Sequence, residues 1–305
     1  MKTISRIIAI LLLAVVTLTT TSCLKTQSTD ISSVMDREGN PITLPAHLDR
    51  IISLGPSNTE ILAALGFADR IIAADTYSKG IPGLADEVLF FDMLAPDGEQ
   101  IVNLEPDVIF VTGMSKAGGA NPFKMLTDMG TCVFYIPTSS SIDGIKEDIR
   151  FIAKVMNVIE KGDRIVTDME SEMDRIKTIG ETITDRKRVY FEISVAPYLY
   201  SFGKGVFLNE MIEIIGAVNI LAHQESWVAV ADEVILKENP DVIMTNVDYL
   251  DEPVKTIMSR PGWDKMTAVQ NRDVYHIDAN ASSRPSHHVI KALQEMAKVV
   301  YPDKY

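Results

Sequence analysis

Side chains able to carry out metal or covalent chemistry are few and scattered in this chain of 305 residues. His47, His223 and His276 stand apart along the sequence. His287 and His288 are adjacent near the start of a predicted helix, where their side chains would point about 100° apart and could not easily hold one metal ion together. The sequence also lacks the Gly-x-x-x-x-Gly-Lys phosphate loop and the Gly-x-Ser-x-Gly nucleophile elbow. We therefore expect noncovalent ligand binding, with no enzyme activity, no bare-metal site and no resident cofactor.

A repeated acidic motif is the most informative internal feature. It occurs as Glu-Gln-Ile-Val-Asn-Leu-Glu-Pro-Asp-Val-Ile in residues 99–109 and again as Glu-Val-Ile-Leu-Lys-Glu-Asn-Pro-Asp-Val-Ile in residues 233–243. In each copy a glutamate, Glu99 or Glu233, lies seven residues before a Pro-Asp-Val-Ile segment that predicts the start of a strand. The repeat indicates two similar lobes, each with one acidic side chain at the same position.

Short β-branched runs alternate with helical patterns in two series, which predicts an α/β fold of two lobes with mostly parallel sheets. The predicted strands are 51–54, 70–74, 108–112, 132–136, 188–193, 199–202, 242–245 and 274–277. The predicted helices of the first series are 58–65, 98–104 and 122–129. Between the two series, apolar residues recur at steps of three and four, which predicts one amphipathic helix over residues 160–184. At 1.5 Å per residue this helix would extend roughly 37 Å and bridge the two lobes.

The predicted organisation places an N-terminal lobe at residues 34–140, a helical segment with the bridging helix at 141–186 and a C-terminal lobe at 187–305. Ligands of parallel α/β sheets favour the crevice beyond the carboxyl ends of the strands, so the two lobes would form one cleft. Tyr77 follows a predicted strand directly and is a candidate to stack on or hydrogen-bond a ligand there, or to cap a loop.

The N-terminal segment indicates export. Lys2 and Arg6 precede an apolar run over residues 7–18 that is too short to span a bilayer, and small residues follow up to Cys23. The ending Thr-Thr-Ser-Cys resembles the lipobox of bacterial lipoproteins, so residues 1–22 are predicted to be a signal peptide and Cys23 to be lipidated. Cleavage of an ordinary secretory signal at another small residue is the alternative. The polar segment over residues 23–33 predicts a flexible tether.

The composition is that of an ordinary globular protein, with 46% hydrophobic and 23% charged residues. Acidic residues (42) outnumber basic residues (29), which gives a net charge of −13. Such a chain has no basic field to hold phosphate backbones, so nucleic acid is not an expected partner.

A series of longer motifs forms a recognisable pattern: residues 36–45 (Asp-Arg-Glu-Gly-Asn-Pro-Ile-Thr-Leu-Pro), residues 50–62 (Arg-Ile-Ile-Ser-Leu-Gly-Pro-Ser-Asn-Thr-Glu-Ile-Leu), Ala-Leu-Gly at 64–66, the two Pro-Asp-Val-Ile segments and residues 227–233. In order and spacing they resemble the solute-binding proteins of bacterial ABC importers for ferric siderophores, haem and vitamin B12. The resemblance covers about residues 34–302. It implies two lobes bridged by one long helix, capture of a small metal-chelate ligand, and delivery to an ABC permease dimer with its ATPase. The lipid anchor would hold the protein at the extracytoplasmic face of the cell membrane or in the periplasm.

The resemblance also implies roles for single residues. Glu99 and Glu233 match two surface glutamates, one per lobe, that dock onto arginines of the permease, although a favourable place in the first turn of a helix is the alternative explanation. Trp227 lies where the family often places an aromatic residue against the ligand, and core packing is the alternative. Arg284 lies where the family commonly places an arginine that faces the ligand, and an exposed loop position is the alternative.

A ferric siderophore is the expected ligand, because the guanidinium of Arg284 suits the oxygen atoms of ferric chelates. Vitamin B12 or another corrinoid is the first alternative, for which aromatic packing would matter more than charge. Haem would need an axial side-chain ligand such as Met93 or Tyr249, for which packing in the core or at the rim is the better explanation. A surface-displayed hydrolase or adhesion domain is the alternative from another class.

Overall fold

The computed structural model describes residues 33–116 and 121–305. The predicted signal peptide, the predicted lipidation site Cys23 and nearly all of the predicted tether lie outside these residues. Within the described part of the chain, every helix is too short or too polar to cross a membrane.

The described secondary structure alternates strands and helices along most of the chain. The strands are β1 Ser33–Met35, β2 Pro41–Thr43, β3 Ile51–Leu54, β4 Ile71–Asp75, β5 Leu89–Phe91, β6 Val108–Thr112, β7 Cys132–Ile136, β8 Arg188–Glu192, β9 Tyr200–Phe202, β10 Val218–Asn219, β11 Trp227–Ala229, β12 Val242–Thr245 and β13 Val274–His276. The helices are α1 Pro56–Ala64, α2 Gly98–Asn103, α3 Lys124–Asp128, α4 Ile142–Val155, α5 Ile159–Gly180, α6 Phe207–Ile214, α7 Asp232–Glu238, α8 Pro253–Met258, α9 Thr267–Asn271, α10 Ala279–Ser283 and α11 Val289–Val300.

The first lobe is built on five parallel strands in the order β5-β4-β3-β6-β7. Every residue of β3, β6 and β7 is buried, as expected for parallel strands that helices cover on both faces. The predicted limits of these three strands are confirmed. The short edge strand β5 and the antiparallel pair of β1 and β2 were not predicted, because three-residue strands carry too little periodic signal.

The second lobe has a smaller parallel sheet in the order β10-β8-β12-β13 and a separate antiparallel pair of β9 and β11. Trp263 is fully buried in the core of this lobe, with its ring edge-on to Tyr190 at a centroid distance of 6.3 Å. The predicted fold class, two α/β lobes with mostly parallel sheets joined by one long helix, is therefore confirmed. The predicted domain boundaries stay a prediction.

The bridging helix is α5, which begins one residue before its predicted start and ends four residues before its predicted end. Its last residue is Gly180, where a Cβ atom would lie 2.2 Å from the carbonyl oxygen of Ile214, so only glycine permits this approach. Ile183, beyond the helix end, still packs next to Gly216. The apolar pattern therefore continues past the helix, which explains the overestimated length.

The aspartate of the repeated motif binds a neighbouring strand in the same way in both sheets. In the first lobe, the carboxylate of Asp107 accepts a hydrogen bond from the backbone N–H of Arg50 at 2.9 Å, at the start of β3. In the second lobe, the carboxylate of Asp241 accepts one from the backbone N–H of Arg188 at 2.7 Å, at the start of β8. The aspartate of each Pro-Asp-Val-Ile segment thus holds the neighbouring central strand in register.

Candidate ligand-binding cleft

A cleft with a cavity of about 420 Å³ opens between the two lobes. From the first lobe, its walls come from the ends of β6 and β7 and the segments that follow β3 to β7. From the second lobe, they come from the segments after β8 and β12, from α10 and from the residues after α10. The cleft therefore lies at the carboxyl ends of both parallel sheets, where ligands of open α/β sheets bind.

The cleft wall is largely apolar and aromatic. Tyr77 from the first lobe and Tyr249 from the second line it, with 64% and 61% of their surfaces exposed, and Met93 and Met114 add apolar side chains. The hydroxyl of Tyr249 accepts a hydrogen bond from the backbone N–H of Val195 at 3.2 Å, which fixes the tip of this side chain. Such a surface suits a large ligand with extended flat faces.

Charge is scarce in this wall: among the described residues that line the cleft, only Asp248 and Arg284 belong to the acidic or basic residue types. Arg284 is already paired, because its Nη1 atom donates to a carboxylate oxygen of Glu60 at 2.7 Å and its Nη2 atom donates to the carbonyl oxygen of Tyr77 at 2.6 Å. Ser286 Oγ donates to the second carboxylate oxygen of Glu60 at 2.5 Å. Arg284 thus lies in the cleft wall, and its role in binding the ligand stays a prediction.

Glu60 is a residue that the sequence analysis missed. It lies on α1, is 5% exposed and contributes the only charge among the buried residues of that helix. A glutamate directly before the apolar pair Ile61 and Leu62 was the available signal, because a buried carboxylate requires a partner. Its partner, however, lies 224 positions away along the chain.

Tyr77 is held by a buried polar turn. Asp75, at the end of β4, accepts hydrogen bonds from the backbone N–H of Tyr77 at 2.8 Å and from Ser78 Oγ at 2.5 Å. Burial raises the pKa of the Asp75 carboxyl above its usual range, although the hydrogen bonds from Ser78 and Tyr77 and the charge of Arg284 oppose this effect. The backbone of Tyr77 is therefore fixed while its ring remains exposed to the cleft.

Trp227 lies on an antiparallel pair of strands, β9 and β11, called here the aromatic strand pair. Its ring packs edge-on against Phe202 at a centroid distance of 5.9 Å, and 44% of its surface is exposed. The strand register places Tyr200 as a diagonal neighbour of Trp227 on the same face. Trp227 does not belong to the described residues that line the cavity, so its contact with a ligand stays a prediction.

Asn58 is a second residue of the cleft that the sequence analysis did not single out. Its side chain is 1% exposed, and its Nδ2 atom has no hydrogen-bond partner among the described residues. It lies in the first turn of α1, whose N-cap residue Gly55 offers no side-chain cap. The amide of Asn58 is therefore an unused hydrogen-bond donor among the residues that line the cleft.

Glu99 and Glu233 occupy equivalent positions, each as the second residue of its helix, α2 or α7. Both side chains are exposed, and neither carboxylate has a hydrogen bond or an ion pair within the described part of the chain. A negative charge is favourable at a helix N-terminus, so this placement suits both explanations given by the sequence. The docking role of the two glutamates stays a prediction.

A second cavity, also of about 420 Å³, shares Arg284 and Asn280 with the cleft and is lined in addition by Glu60 and His287. Burial, and then the nearby His288, lowers the pKa of His287 to about 4. In residues 33–116 and 121–305, no three histidine, cysteine, aspartate or glutamate side chains come together in a way that could hold a metal ion.

Comparison with known proteins places this fold and cleft in a family. The family model for periplasmic binding proteins matches residues 51–281, and the chain belongs to this family. It is 31% identical over 286 residues to an uncharacterized ABC transporter substrate-binding lipoprotein, YvrC, of Bacillus subtilis (strain 168), a match that covers 92% of this chain and 89% of that protein. The resemblance inferred from the sequence is thereby confirmed. Because this family consists of solute-binding proteins, the prediction that the chain is not an enzyme is confirmed as well.

Two further relatives have more specific descriptions. The vitamin B12-binding protein of Vibrio cholerae is 26% identical over 255 residues, which cover 83% of this chain and 89% of that protein. A possible iron-binding (periplasmic solute-binding) protein from Staphylococcus epidermidis, known from its crystal structure, is 28% identical in sequence. Its structure matches this one with a TM-score of 0.74, over 83% of this chain and 98% of that chain.

Proposed function

We propose that the cleft captures a corrinoid of the vitamin B12 class and that the protein presents this ligand to an ABC importer. As a member of the periplasmic binding protein family, the chain acts as a solute-binding component that serves a permease and its ATPase. The proposal refines this general role by naming the ligand.

The observation that carries the proposal is the aromatic character of the cleft wall, together with the scarcity of charged residues in it. The phenol rings of Tyr77 and Tyr249 face the cleft from opposite lobes, and the guanidinium of Arg284, the only described cation there, is paired with Glu60. A corrinoid offers broad apolar faces and carboxamide edges, which match aromatic rings and neutral donors such as the amide of Asn58. The similarity to a vitamin B12-binding protein supports this choice.

A ferric siderophore is the second candidate, and the similarity to a possible iron-binding protein favours it. To bind this ligand, Arg284 would have to break its ion pair with Glu60 and direct its guanidinium N–H groups toward the oxygen atoms of the chelate. Breaking a buried ion pair leaves one charge uncompensated, so this route starts at a disadvantage.

Delivery of the ligand completes the proposed function. Lipid attached to Cys23 would hold the protein at the extracytoplasmic face of the membrane, and Glu99 and Glu233 would pair with basic residues of the permease. One exposed, unpaired carboxylate on each lobe suits a two-fold partner, because equivalent acidic groups can meet equivalent sites on its two halves.

Ligand titration tests the proposal. Purified protein is titrated with cyanocobalamin, a ferric hydroxamate siderophore and haemin, while tryptophan fluorescence and ligand absorbance are recorded together. Saturable binding of cyanocobalamin with a Kd below about 1 µM, which corresponds to about −8 kcal/mol, is the expected result. Tight binding of the ferric siderophore without cyanocobalamin binding would replace the first candidate by the second.

A further inference from the structure

A buried ion pair between the lobes sets the charge of the cleft wall. Glu60 comes from α1 of the first lobe and Arg284 follows α10 of the second, and their side chains are 5% and 12% exposed. Charges this far removed from water interact strongly and are screened weakly by salt. The pair therefore determines whether the wall presents a cation to the ligand.

Both partners are held by further hydrogen bonds. One carboxylate oxygen of Glu60 accepts from Arg284 and the other accepts from Ser286, so no oxygen of Glu60 lacks a partner. The carbonyl of Tyr77 accepts from the other terminal nitrogen of Arg284. The guanidinium is thus fixed at the cleft wall by two groups of the first lobe, and its positive charge is neutralised in place.

We propose that Glu60 is a specificity-determining residue, which makes the cleft favour uncharged metal chelates over anionic ones by neutralising Arg284. This inference rests on the proposed function above. An anionic ligand gains little from a guanidinium that is already paired, and it meets the like charge of Glu60 close behind it. A neutral chelate with large apolar faces does not depend on a free guanidinium and is not repelled by Glu60. Discrimination between neutral and anionic chelates therefore arises from repulsion as much as from attraction.

Charge variants test this inference with two probes, the neutral complex cyanocobalamin and haemin, which carries two carboxylates. Glu60→Gln keeps the shape of the side chain and leaves the charge of Arg284 uncompensated. The ratio of haemin affinity to cyanocobalamin affinity should then rise at least about tenfold, the range for a hydrogen bond to a charged group. Arg284→Gln, which leaves Glu60 as the unpaired charge, should lower the same ratio. The double variant Glu60→Gln and Arg284→Gln is neutral at both positions, so it should not show the raised affinity ratio of Glu60→Gln.

Glu192→Gln is the matched control. Glu192 belongs to a second buried ion pair, in which its carboxylate accepts from both terminal nitrogens of Arg260 at 2.8 and 2.9 Å, and neither residue lines the cleft. It should change the affinity ratio by less than about twofold, since neither partner of this pair lines the cleft. Circular dichroism and thermal unfolding establish that each variant is folded. Should Glu60→Gln fail to fold, Arg284→Gln measures the same charge effect with the opposite sign.

The outcomes separate the two proposals. A raised ratio in Glu60→Gln and a lowered ratio in Arg284→Gln support the role of Glu60. If the wild-type protein binds cyanocobalamin and haemin but the ratio of their affinities stays constant in both variants, this inference is overturned and the proposed function stands. If neither the wild-type protein nor any folded variant binds either probe, the corrinoid proposal and the role of Glu60 fail together.

Discussion

The two lobes share one construction but differ in what they contribute to the cleft. Both have a helix with an exposed glutamate as its second residue, followed by a Pro-Asp segment that holds the central strand. Only the first lobe supplies the buried Glu60, and only the second carries Arg284 and the aromatic strand pair. The repeated features face outward, and the unrepeated ones surround or adjoin the cleft.

The proposed docking to a permease and the proposed capture of a corrinoid together account for this division. A permease dimer has a two-fold axis, so two equivalent acidic positions can each pair with an equivalent site. A corrinoid or another chelate has no such symmetry, and its two faces need different neighbours. The comparison predicts that changes in the repeated features affect transport, whereas changes in the unrepeated ones affect ligand affinity.

Charge reversal at the repeated glutamates should have the largest effect. The double variant Glu99→Lys and Glu233→Lys should reduce uptake at least about a hundredfold, because like charges at an interface cost several kcal/mol. Uptake of labelled ligand is measured in cells that carry the permease and its ATPase, and ligand affinity is measured on purified protein and should stay unchanged. The same reversals at Glu160 and Glu181, two exposed residues at the ends of α5, provide a control with equal net charge. Normal uptake by the first double variant would remove both glutamates from the docking surface.

Acid should lower the stability of the protein through His287, which lines the second cavity between the two lobes. The pKa of His287 is lowered to about 4, so between about pH 6.5 and pH 4 the unfolded chain binds a proton that the folded chain does not. Stability should therefore fall with decreasing pH in this window, by roughly 3 kcal/mol in total. Urea unfolding at pH 7 and pH 4.5 measures the change.

Two variants isolate this contribution. His287→Gln removes the titrating group and should make the loss of stability between pH 7 and pH 4.5 smaller. His223→Gln changes an exposed histidine of the second lobe and should leave the loss as it is in the wild-type protein. Equal behaviour of both variants would assign the acid sensitivity to other groups.

Aromatic residues on the two sides of the cleft should contribute about equally to binding. Tyr77→Ala and Tyr249→Ala should each weaken cyanocobalamin binding by about tenfold, since each removes an aromatic face and its apolar contact. Tyr198→Ala is the matched control, because Tyr198 is 81% exposed and lies outside the described lining of the cleft. A loss in only one of the two cleft variants would indicate that a single lobe holds the ligand.

The smallest expected effect concerns the residue before the proline in each repeat. Glu105 and Asn239 both adopt positive φ, 46° and 44°, which costs free energy for most side chains and less for asparagine. Glu105→Asn should raise the free energy of unfolding by up to about 1 kcal/mol. Asn239→Ala should lower it by about 1 to 2 kcal/mol, because the side chain of Asn239 also donates to Thr267 Oγ1 and accepts from the backbone N–H of Thr267. Thermal and urea unfolding measure the stability of both variants. A destabilised Glu105→Asn would show that the turns before the two prolines are not equivalent.

Local sequence predicted most of the scaffold of this protein. The fully buried runs over β3, β6 and β7, the apolar period of α5 and the repeated Pro-Asp-Val-Ile segments determined two parallel α/β lobes and the edge at which the cleft opens. These features depend on neighbours a few positions apart, which is why periodicity reveals them. Tyr77 could be assigned to the cleft for the same reason, since it directly follows a strand.

The chemistry of the cleft was decided by the tertiary structure. The sequence offered Arg284 as a free cation, but its charge is paired with Glu60 across the seam between the lobes. Trp227 lies outside the cavity lining, and the pairing of β9 with β11 decides on which face of the aromatic strand pair its ring lies. Contacts between residues more than 200 positions apart depend on how one lobe docks on the other, and no local period records that arrangement. The sequence by itself thus determined at which edge of the sheets the cleft opens, and only the folded structure decided which charges line that cleft.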